Sequence, residues 1–256
     1  MPAPATERAA QVERVGWEAL RDYFAAEHKL GEHVAIEGPN GSGKTLLGRE
    51  LLEARSRRTS RKGRPTHITI FEVKRRDSTM QALLRSGRWR RLKTLKEWPP
   101  EYGQERSIVW PVPGGLGGRA ARMSALFAAI LDEIDASGNQ IVFIDEAAYF
   151  ERALPNGLGL SRYLEQYWTL ARSNGVSLFA ATQRPRRVSV SMWSEPYWLF
   201  LFRPEDEQDL QRVAELSGSK ALVLEVLPQL GDHDFLMLRR RGREKGAVIS
   251  TVELER

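Results

Sequence analysis

The residues best suited to chemistry form one glycine-rich segment, Gly38-Pro39-Asn40-Gly41-Ser42-Gly43-Lys44-Thr45. It matches the phosphate-loop pattern G-x-x-x-x-G-K-S/T at every specified position. Glycines let backbone N–H groups form a cradle for phosphate oxygens at the positive end of a helix. Lys44 would reach the β- and γ-phosphates, and the Thr45 hydroxyl would ligate Mg²⁺. The segment, called the phosphate loop below, therefore predicts a site for a nucleoside triphosphate and Mg²⁺.

A second candidate is the acidic pair Asp145-Glu146, which directly follows an apolar run over residues 141–144. A buried strand that ends here would place the Asp145 carboxylate beside the phosphate loop, where it would hold Mg²⁺ through water. Glu146 would polarise the attacking water as a general base. An adjacent glutamate favours an ATP hydrolase over a kinase or a GTPase switch, so ATP is the predicted nucleotide.

A third candidate, Gln183, lies in the segment Ala-Ala-Thr-Gln-Arg-Pro at the end of the next apolar run. If the two strands are neighbours, Gln183 would bond the γ-phosphate or the attacking water and report hydrolysis. Taken alone, a Thr-Gln pair here would more simply mark a transition from strand to loop.

Elements that could position these residues alternate along the chain. Near-continuous apolar strands separated by helices are typical of a mostly parallel α/β sheet with helices on both faces. The patterns predict strands over 33–37, 66–73, 107–110, 140–145, 176–182 and 197–202. They predict helices over 6–28, from about 43 into the basic stretch that follows, and over 119–135, 160–173 and 204–218. Residues 78–98 are predicted to form one or two basic helical pieces, and 113–118 a flexible loop.

One ATPase domain over residues 31–256 is the predicted organisation, preceded by a helical extension over 1–30 that Thr6 would cap. The domain would contain a basic insertion at about 75–105. Residues 234–240 and 247–253 would close it as a C-terminal β-hairpin.

The composition excludes several classes of function. The chain has no cysteine, which excludes disulfides, thiolate metal sites and a cysteine nucleophile. Its four histidines show no metal-ligand spacing. No apolar stretch approaches the ~18–20 residues that span a bilayer, and the first residues lack the pattern of a signal peptide. We therefore expect a cytoplasmic protein.

The charge is basic, with 39 Lys and Arg against 33 Asp and Glu, a net charge of +6. A basic protein is compatible with a polyanionic partner. Residues 55–96 alone hold 15 Lys and Arg against Glu72 and Asp77. A solvated face explains such a cluster equally well.

The order of GPNGSGKT, FEVK, IVFIDEAAYF and ARSNGVSLFAATQRP resembles the FtsK/HerA superfamily of DNA-translocating ATPases, over about residues 33–202. The resemblance implies a RecA-like P-loop NTPase core of the ASCE type that works as a ring, usually a hexamer. It places at Arg172 an arginine finger that reaches the neighbouring subunit's ATP, although a salt-bridged arginine at a helix end is the alternative. The family often has Asp-Pro-Lys where this chain has Glu72-Val73-Lys74, which leaves the roles of Glu72 and Lys74 open.

By its size and build the chain resembles viral genome-packaging ATPases, so the resemblance implies a motor that moves double-stranded DNA into a capsid. Capsid or portal-vertex proteins would be its further partners, and a capsid vertex in the host cytoplasm its location. The alternative is a conjugation or filamentous-phage assembly ATPase that acts on a nucleoprotein or protein partner.

Basic loops that face the pore of such a ring would contact DNA phosphates without reading sequence. The candidates are Arg88, Arg90 and Arg91, and the loop of Arg184, Arg186 and Arg187. Trp89 and Trp98 have the residue type to stack on bases, but core packing or helix docking is the favoured interpretation.

Overall fold

A computed structural model describes residues 12–56, 66–100, 105–111, 118–241 and 246–252 of the protein. Its strands are β1 (Glu13–Arg14), β2 (Val34–Glu37), β3 (His67–Phe71), β4 (Arg90–Leu92), β5 (Arg106–Val109), β6 (Gln140–Ile144), β7 (Ser177–Thr182), β8 (Trp198–Phe202), β9 (Asp234–Arg239) and β10 (Gly246–Thr251). Its α-helices are α1 (Trp17–Glu27), α2 (Lys44–Ser56), α3 (Ser78–Arg85), α4 (Arg119–Ser137), α5 (Ala147–Glu151), α6 (Ser161–Thr169), α7 (Ser191–Ser194), α8 (Glu207–Leu216) and α9 (Lys220–Val226).

The strands of the described residues form one sheet in the order β1-β10-β9-β8-β2-β7-β6-β3-β5-β4. The run from β8 to β4 is parallel throughout, whereas β9 is antiparallel to both β8 and β10. The predicted mostly parallel α/β sheet is therefore confirmed. β7 lies between β2, which precedes the phosphate loop, and β6, which precedes Asp145. A strand placed between these two is characteristic of ASCE-type P-loop NTPases.

Helices cover both faces of the sheet. Successive strand residues point to opposite sides, so each strand has apolar side chains on both faces. Val34 and Ile36 of β2 belong to one buried cluster together with residues of α1 and α2. Ala35, between them, belongs to a second buried cluster with residues of α4 and α6. A strand covered on both sides has no polar face, which explains why β2, β6, β7 and β8 read as continuous apolar runs.

The parallel pairing brings the carboxyl ends of β2, β7 and β6 to the same edge of the sheet. Glu37 pairs in register with Thr182, and Ile144 pairs with Ala180. The segments that follow these strands are the phosphate loop, the Gln183 loop and the Asp145-Glu146 pair. The topology thus brings all three predicted segments to this edge of the sheet, which we call the carboxyl edge.

The predicted helix over 6–28 is wrong in its first half. The helix that forms, α1, begins at Trp17 after Gly16, so Thr6, which lies outside the described residues, is not its cap. Glu13 and Arg14 instead form a strand parallel to β10. The Arg14 guanidinium donates to both carboxylate oxygens of Asp234, at 2.8 and 2.9 Å. Apolar spacing cannot reveal this sheet edge, because Asp234, the partner of Arg14, lies 220 residues further along the chain.

The predicted helical pieces over 78–98 are also partly wrong. α3 ends at Arg85, and Arg90–Leu92 forms the edge strand β4, parallel to β5. Tertiary packing overrides the local pattern here, because Trp89 and Leu92 are buried. The Trp89 indole donates to Glu53 Oε1 at 2.7 Å, so Trp89 belongs to the core, as the favoured interpretation had it.

Two other predicted helices end earlier than expected. The helix predicted over 160–173 ends as α6 at Thr169, and a 3₁₀ turn at Ala171–Asn174 follows it. The helix predicted over 204–218 is α8. Residues 57–65, most of the loop 113–118 and the hairpin turn at 242–245 lie outside the described residues. The division at residue 30 stays a prediction. No helix of the described ranges has the length and apolar character needed to cross a bilayer.

Candidate functional site

The phosphate loop connects the end of β2 to the start of α2, and its backbone is packed too closely for side chains at two positions. At Gly43, where φ is +100°, an added Cβ would lie 2.8 Å from Val252 Cγ1. At Gly38, it would lie 2.8 Å from the Cβ of Phe202. A real Cβ does not approach so closely, and positive φ is strained for most residues. Both glycines are therefore required by the loop's shape.

The orientation of α2 follows from its buried face. Leu47, Leu51 and Leu52 are fully buried, and each contributes roughly 1.5–3 kcal/mol by leaving water. An added Cβ at Gly48 would lie 2.6 Å from the Phe143 ring, so the helix lies tightly against β6. The helix N-terminus, with its unpaired N–H groups and positive dipole end, is thereby fixed at the carboxyl edge.

Lys44, the first residue of α2, is buried beside the two predicted acids. Its ammonium donates to the Pro39 carbonyl at 2.9 Å, within the loop itself. Burial lowers the pKa of Lys44, and the carboxylates of Asp145 and Glu146 partly offset this effect. The Lys44 side chain therefore lies within the electrostatic reach of both acids.

Thr45 and Asp145 make direct contact. The Thr45 hydroxyl donates to Asp145 Oδ1 at 2.7 Å, although the two residues are 100 positions apart in the sequence. Asp145, the residue directly after β6, is only 3% exposed. A hydroxyl and a carboxylate are the hard oxygen ligands that Mg²⁺ prefers, so the residues present fit the predicted cation.

Glu146 lies half-buried between the cation position and the end of β7. Its Oε1 is 3.4 Å from the Thr182 hydroxyl. Burial raises the pKa of Glu146, and the Lys44 ammonium partly offsets that rise. A carboxylate with a raised pKa is a stronger base, which suits proton abstraction from water near neutral pH.

Thr182 is a residue that the sequence analysis missed as part of the site. It is fully buried, and its carbonyl accepts the N–H of Gly38 at 3.2 Å, while its hydroxyl contacts Glu146. It therefore connects the phosphate loop to the candidate base. The available signal was its position as the polar residue that ends an apolar strand. Gln183, the next residue, is half-buried at the same edge, and its role as a sensor stays a prediction.

Arg172 lies far from the phosphate loop of its own chain. It belongs to the 3₁₀ turn before β7, and the six residues of that strand separate it from the carboxyl edge by about 20 Å. The exposed guanidinium lies 4.9 Å above the Tyr197 ring, rather than against a carboxylate of the described residues. This position excludes action on its own nucleotide, and its role toward a neighbour stays a prediction.

The two predicted sets of DNA-contacting arginines lie at opposite edges of the sheet. Arg88 pairs with Glu53 at 2.9 Å, and Arg90 and Arg91 begin β4 at the amino edge. The Arg91 guanidinium also lies 4.7 Å above the Trp110 ring and donates to its carbonyl. Arg88 and Arg91 are thus engaged within the chain itself.

The loop after Gln183 lies at the carboxyl edge, and its three arginines differ in their contacts. Arg186 is held by α8, through an ion pair of 2.7 Å to Asp209 and a longer one of 3.5 Å to Asp206. Arg184 and Arg187 are exposed. Only this second set is continuous with the strand end that contacts Glu146.

A cleft of about 250 Å³ opens beside the phosphate loop, on the side of β8 and β9. Residues 39–42 form one wall, and Phe202, Arg203 and residues 231–234 form the other. His233 Nδ1 is 3.1 Å from the Ser42 carbonyl and joins the two walls. The cleft is continuous with the phosphate loop, because residues 39–42 belong to both.

Lys74, Glu72 and Asp77 form a further charged group next to Asp145. The Lys74 ammonium makes ion pairs with Asp145 and, at 3.0 Å, with Asp77. Glu72 is fully buried, and burial raises its pKa to about 8. The sequence analysis left both Glu72 and Lys74 without a role, and the structure places them against the predicted cation site.

Glu37 is a second buried carboxyl at the carboxyl edge. It ends β2, is 2% exposed, and its Oε2 has no hydrogen-bond partner among the described residues. Burial raises its pKa from 4.5 to about 8; Asp209 adds to the rise, and Lys44 opposes it. Between pH 4.5 and about pH 8, Glu37 releases its proton in the unfolded chain but retains it in the folded chain. Stability is therefore lost as the pH rises through that window.

Replacing Glu37 by glutamine should remove this pH-dependent loss. The quantity to compare is the free energy of unfolding of Glu37→Gln minus that of the unmodified protein. We expect this difference to be at least about 1 kcal/mol larger at pH 8 than at pH 5. Denaturant unfolding at both pH values measures it. Glu133→Gln, at an exposed position of α4, serves as the control and should show no such difference. An equal effect of Glu37→Gln at both pH values would mean that Glu37 ionises normally.

Solved structures resemble this chain over most of its length. The genome packaging NTPase of Sulfolobus turreted icosahedral virus 2, in complex with AMPPCP, has a TM-score of 0.60 at 15% identity, covering 87% of this chain and 99% of that one. VirB4 of Thermoanaerobacter pseudethanolicus has a TM-score of 0.60 at 13% identity, covering 87% and 89%. The pCW3 conjugation coupling protein TcpA has a TM-score of 0.51 at 15% identity, covering 85% and 59%.

The fold is the ASCE-type P-loop NTPase fold that these structures share. The fold that the sequence resemblance implied is thereby confirmed. No protein-family model matches the chain, and no curated protein matches it either. At identities of 13–15% the likeness establishes the fold, so the function must be argued from the site itself.

Proposed function

We propose that the protein is an ATP-hydrolysing motor that translocates double-stranded DNA, and that its role is to package a viral genome into a capsid. The observation that carries the ATPase part is the 2.7 Å hydrogen bond between Thr45 and Asp145 at the mouth of the phosphate loop, with Glu146 as the next residue. The genome packaging NTPase, similar in fold along its whole length, supports the role.

In this proposal the triphosphate lies on the phosphate loop and the N-terminus of α2, and the nucleoside lies in the adjoining cleft. Thr45 and, through water, Asp145 would hold Mg²⁺, which would neutralise charge on the β- and γ-phosphates. Lys44 exchanges its bond to the Pro39 carbonyl for the phosphate oxygens. Glu146 accepts the proton of the attacking water, while Thr182 holds the Glu146 carboxylate in position.

A ring of subunits, most simply a hexamer, accounts for the position of Arg172. Its guanidinium would reach the ATP of the adjacent subunit, where it would neutralise charge on the transferring phosphoryl group. The exposed stack on Tyr197 leaves the guanidinium accessible to a partner.

DNA contact is assigned to the loop after Gln183, ahead of the arginines at the amino edge. Arg184 and Arg187 are exposed there, and the Arg184 N–H bonds to the Thr182 hydroxyl at 3.1 Å. A change at the γ-phosphate can thus pass from Glu146 through Thr182 to this loop. Arg186, held by α8, is instead the fixed end of the loop.

Duplex DNA should therefore stimulate ATP hydrolysis, and the double variant Arg184→Ala/Arg187→Ala should lose that stimulation. Two cations near phosphates supply a salt-dependent part of DNA affinity, so the ratio of rates with and without DNA should fall at least about fivefold. Steady-state ATPase assays at several salt concentrations measure it. Arg85→Ala/Arg162→Ala, at two exposed positions outside this loop, is the matched control. Equal ratios in both double variants would remove the DNA contact from this loop.

The alternative function is a conjugation or filamentous-phage assembly ATPase that acts on a nucleoprotein or protein partner. The likeness to the conjugation coupling protein TcpA and to VirB4 favours this second candidate. An unmodified protein that hydrolyses ATP without any response to duplex DNA would support it over genome packaging.

A further inference from the structure

Lys74 is a cation that pairs with Asp145, the predicted magnesium ligand. Asp145 has two carboxylate oxygens, and the described structure uses both of them. Oδ1 accepts the Thr45 hydroxyl, and Oδ2 is paired with the Lys74 ammonium. A cation that approaches Asp145 must therefore compete with a charge that belongs to the chain itself.

The surroundings of Lys74 have the composition of a cation site. Carboxylate oxygens of Glu72, Asp77 and Asp145 lie within 4.8 Å of one another. Glu72 is fully buried, and its Oε2 has no hydrogen-bond partner among the described residues, so it retains an unused acceptor in this cluster. Three hard oxygen ligands at this spacing suit a divalent cation.

The backbone around Lys74 is fixed, whereas its side chain is free to leave. The Trp110 indole donates to the Lys74 carbonyl at 2.8 Å, and Arg119 donates to the Val73 carbonyl at the same distance. The Lys74 N–H donates to Glu72 Oε1 at 2.6 Å. The Lys74 side chain is nonetheless 43% exposed, so its ammonium can move into solvent without a change of the fold.

We infer that the Lys74 ammonium is a tethered counter-ion, which occupies the cation's place beside Asp145 and yields it only when the divalent cation arrives with the nucleotide. This inference rests on the proposed function, since it concerns the cation of the proposed ATP site. A free divalent cation gains only the carboxylates, and it must displace the ammonium that already pairs with Asp77 and Asp145. A cation bound to a triphosphate brings phosphate contacts as well, which offset the loss of the Lys74 ion pairs.

Mn²⁺ binding, followed by the EPR signal of the free ion, tests this inference. Without nucleotide, the unmodified protein should bind Mn²⁺ weakly, and Lys74→Met should bind it at least about tenfold more tightly, because a neighbouring unit charge has been removed. Lys74→Arg, which retains the charge, should bind Mn²⁺ as the unmodified protein does. Arg75→Met removes the same charge from the next, exposed position and is the matched control, with a change of less than about twofold.

Unchanged Mn²⁺ affinity in a folded Lys74→Met that still binds Mg²⁺–ATP overturns the inference and leaves the proposed function intact. The same result accompanied by lost hydrolysis also overturns it, since Lys74 would then act on the nucleotide. If Lys74→Met does not fold, Lys74→Gln is read in the same way. Failure of the unmodified protein to bind Mg²⁺–ATP contradicts the proposed function itself.

Discussion

Replacing Glu146 by glutamine should reduce steady-state ATP hydrolysis by about 10²–10⁴-fold, the usual contribution of a positioned general base. Glutamine has nearly the same shape and still accepts the Thr182 hydroxyl, but it cannot take a proton from water. ATP affinity should change by less than about threefold, because Thr45, Asp145 and Lys44 remain in place.

Single-turnover hydrolysis and equilibrium binding of a fluorescent ATP analogue separate the two effects. Asp145→Asn is the informative companion, because it removes a charge from the cation site and should weaken Mg²⁺-dependent nucleotide binding. Glu133→Gln, on the exposed face of α4, should leave both quantities unchanged. A Glu146→Gln protein that hydrolyses ATP at the normal rate would assign the base to another residue.

Replacing Arg172 by alanine should lower hydrolysis by about 10³-fold or more, the contribution of an arginine that stabilises phosphoryl transfer. In the proposed ring this effect would act between subunits, because about 20 Å of β7 separates Arg172 from the site of its own chain. Each Arg172→Ala subunit should retain a normal Glu146, and each Glu146→Gln subunit a normal Arg172.

Mixing the two inactive variants should therefore restore part of the activity. Where an Arg172→Ala subunit supplies the phosphate loop and a Glu146→Gln subunit supplies the arginine, the shared site is complete. ATPase rates across a series of mixing ratios, with the mass of the assembly measured under ATP, provide the test. Arg162→Ala, at an exposed position of α6, is the matched control for charge. A mixture no more active than its components would show that Arg172 does not act across an interface.

Thr182 and Gln183 illustrate how far sequence reasoning reached within the site. Thr182 ends β7 and Gln183 follows it, and the sequence pointed to Gln183 as a polar residue after the apolar run. Only the strand order showed that Thr182 is the residue whose hydroxyl contacts Glu146 and whose carbonyl binds Gly38. Side-chain direction alternates along a strand, so one position decides which residue faces the base.

The phosphate loop, the acidic pair and the parallel α/β fold were determined by the sequence itself, because each depends on local rules. Glycines at fixed spacing dictate a cradle, and continuous apolar runs dictate strands buried on both faces. These rules act over a few residues, and every residue needed to apply them is visible in order along the chain.

Tertiary structure alone decided the roles that depend on distant partners. It turned Glu13–Arg14 into a strand on β10, buried Trp89 against Glu53, and placed Lys74 on Asp145 across 71 residues. It also put Arg172 and the loop after Gln183 at opposite ends of β7. Ion pairs, sheet edges and burial arise from segments that meet only after the chain has folded, so no local pattern encodes them.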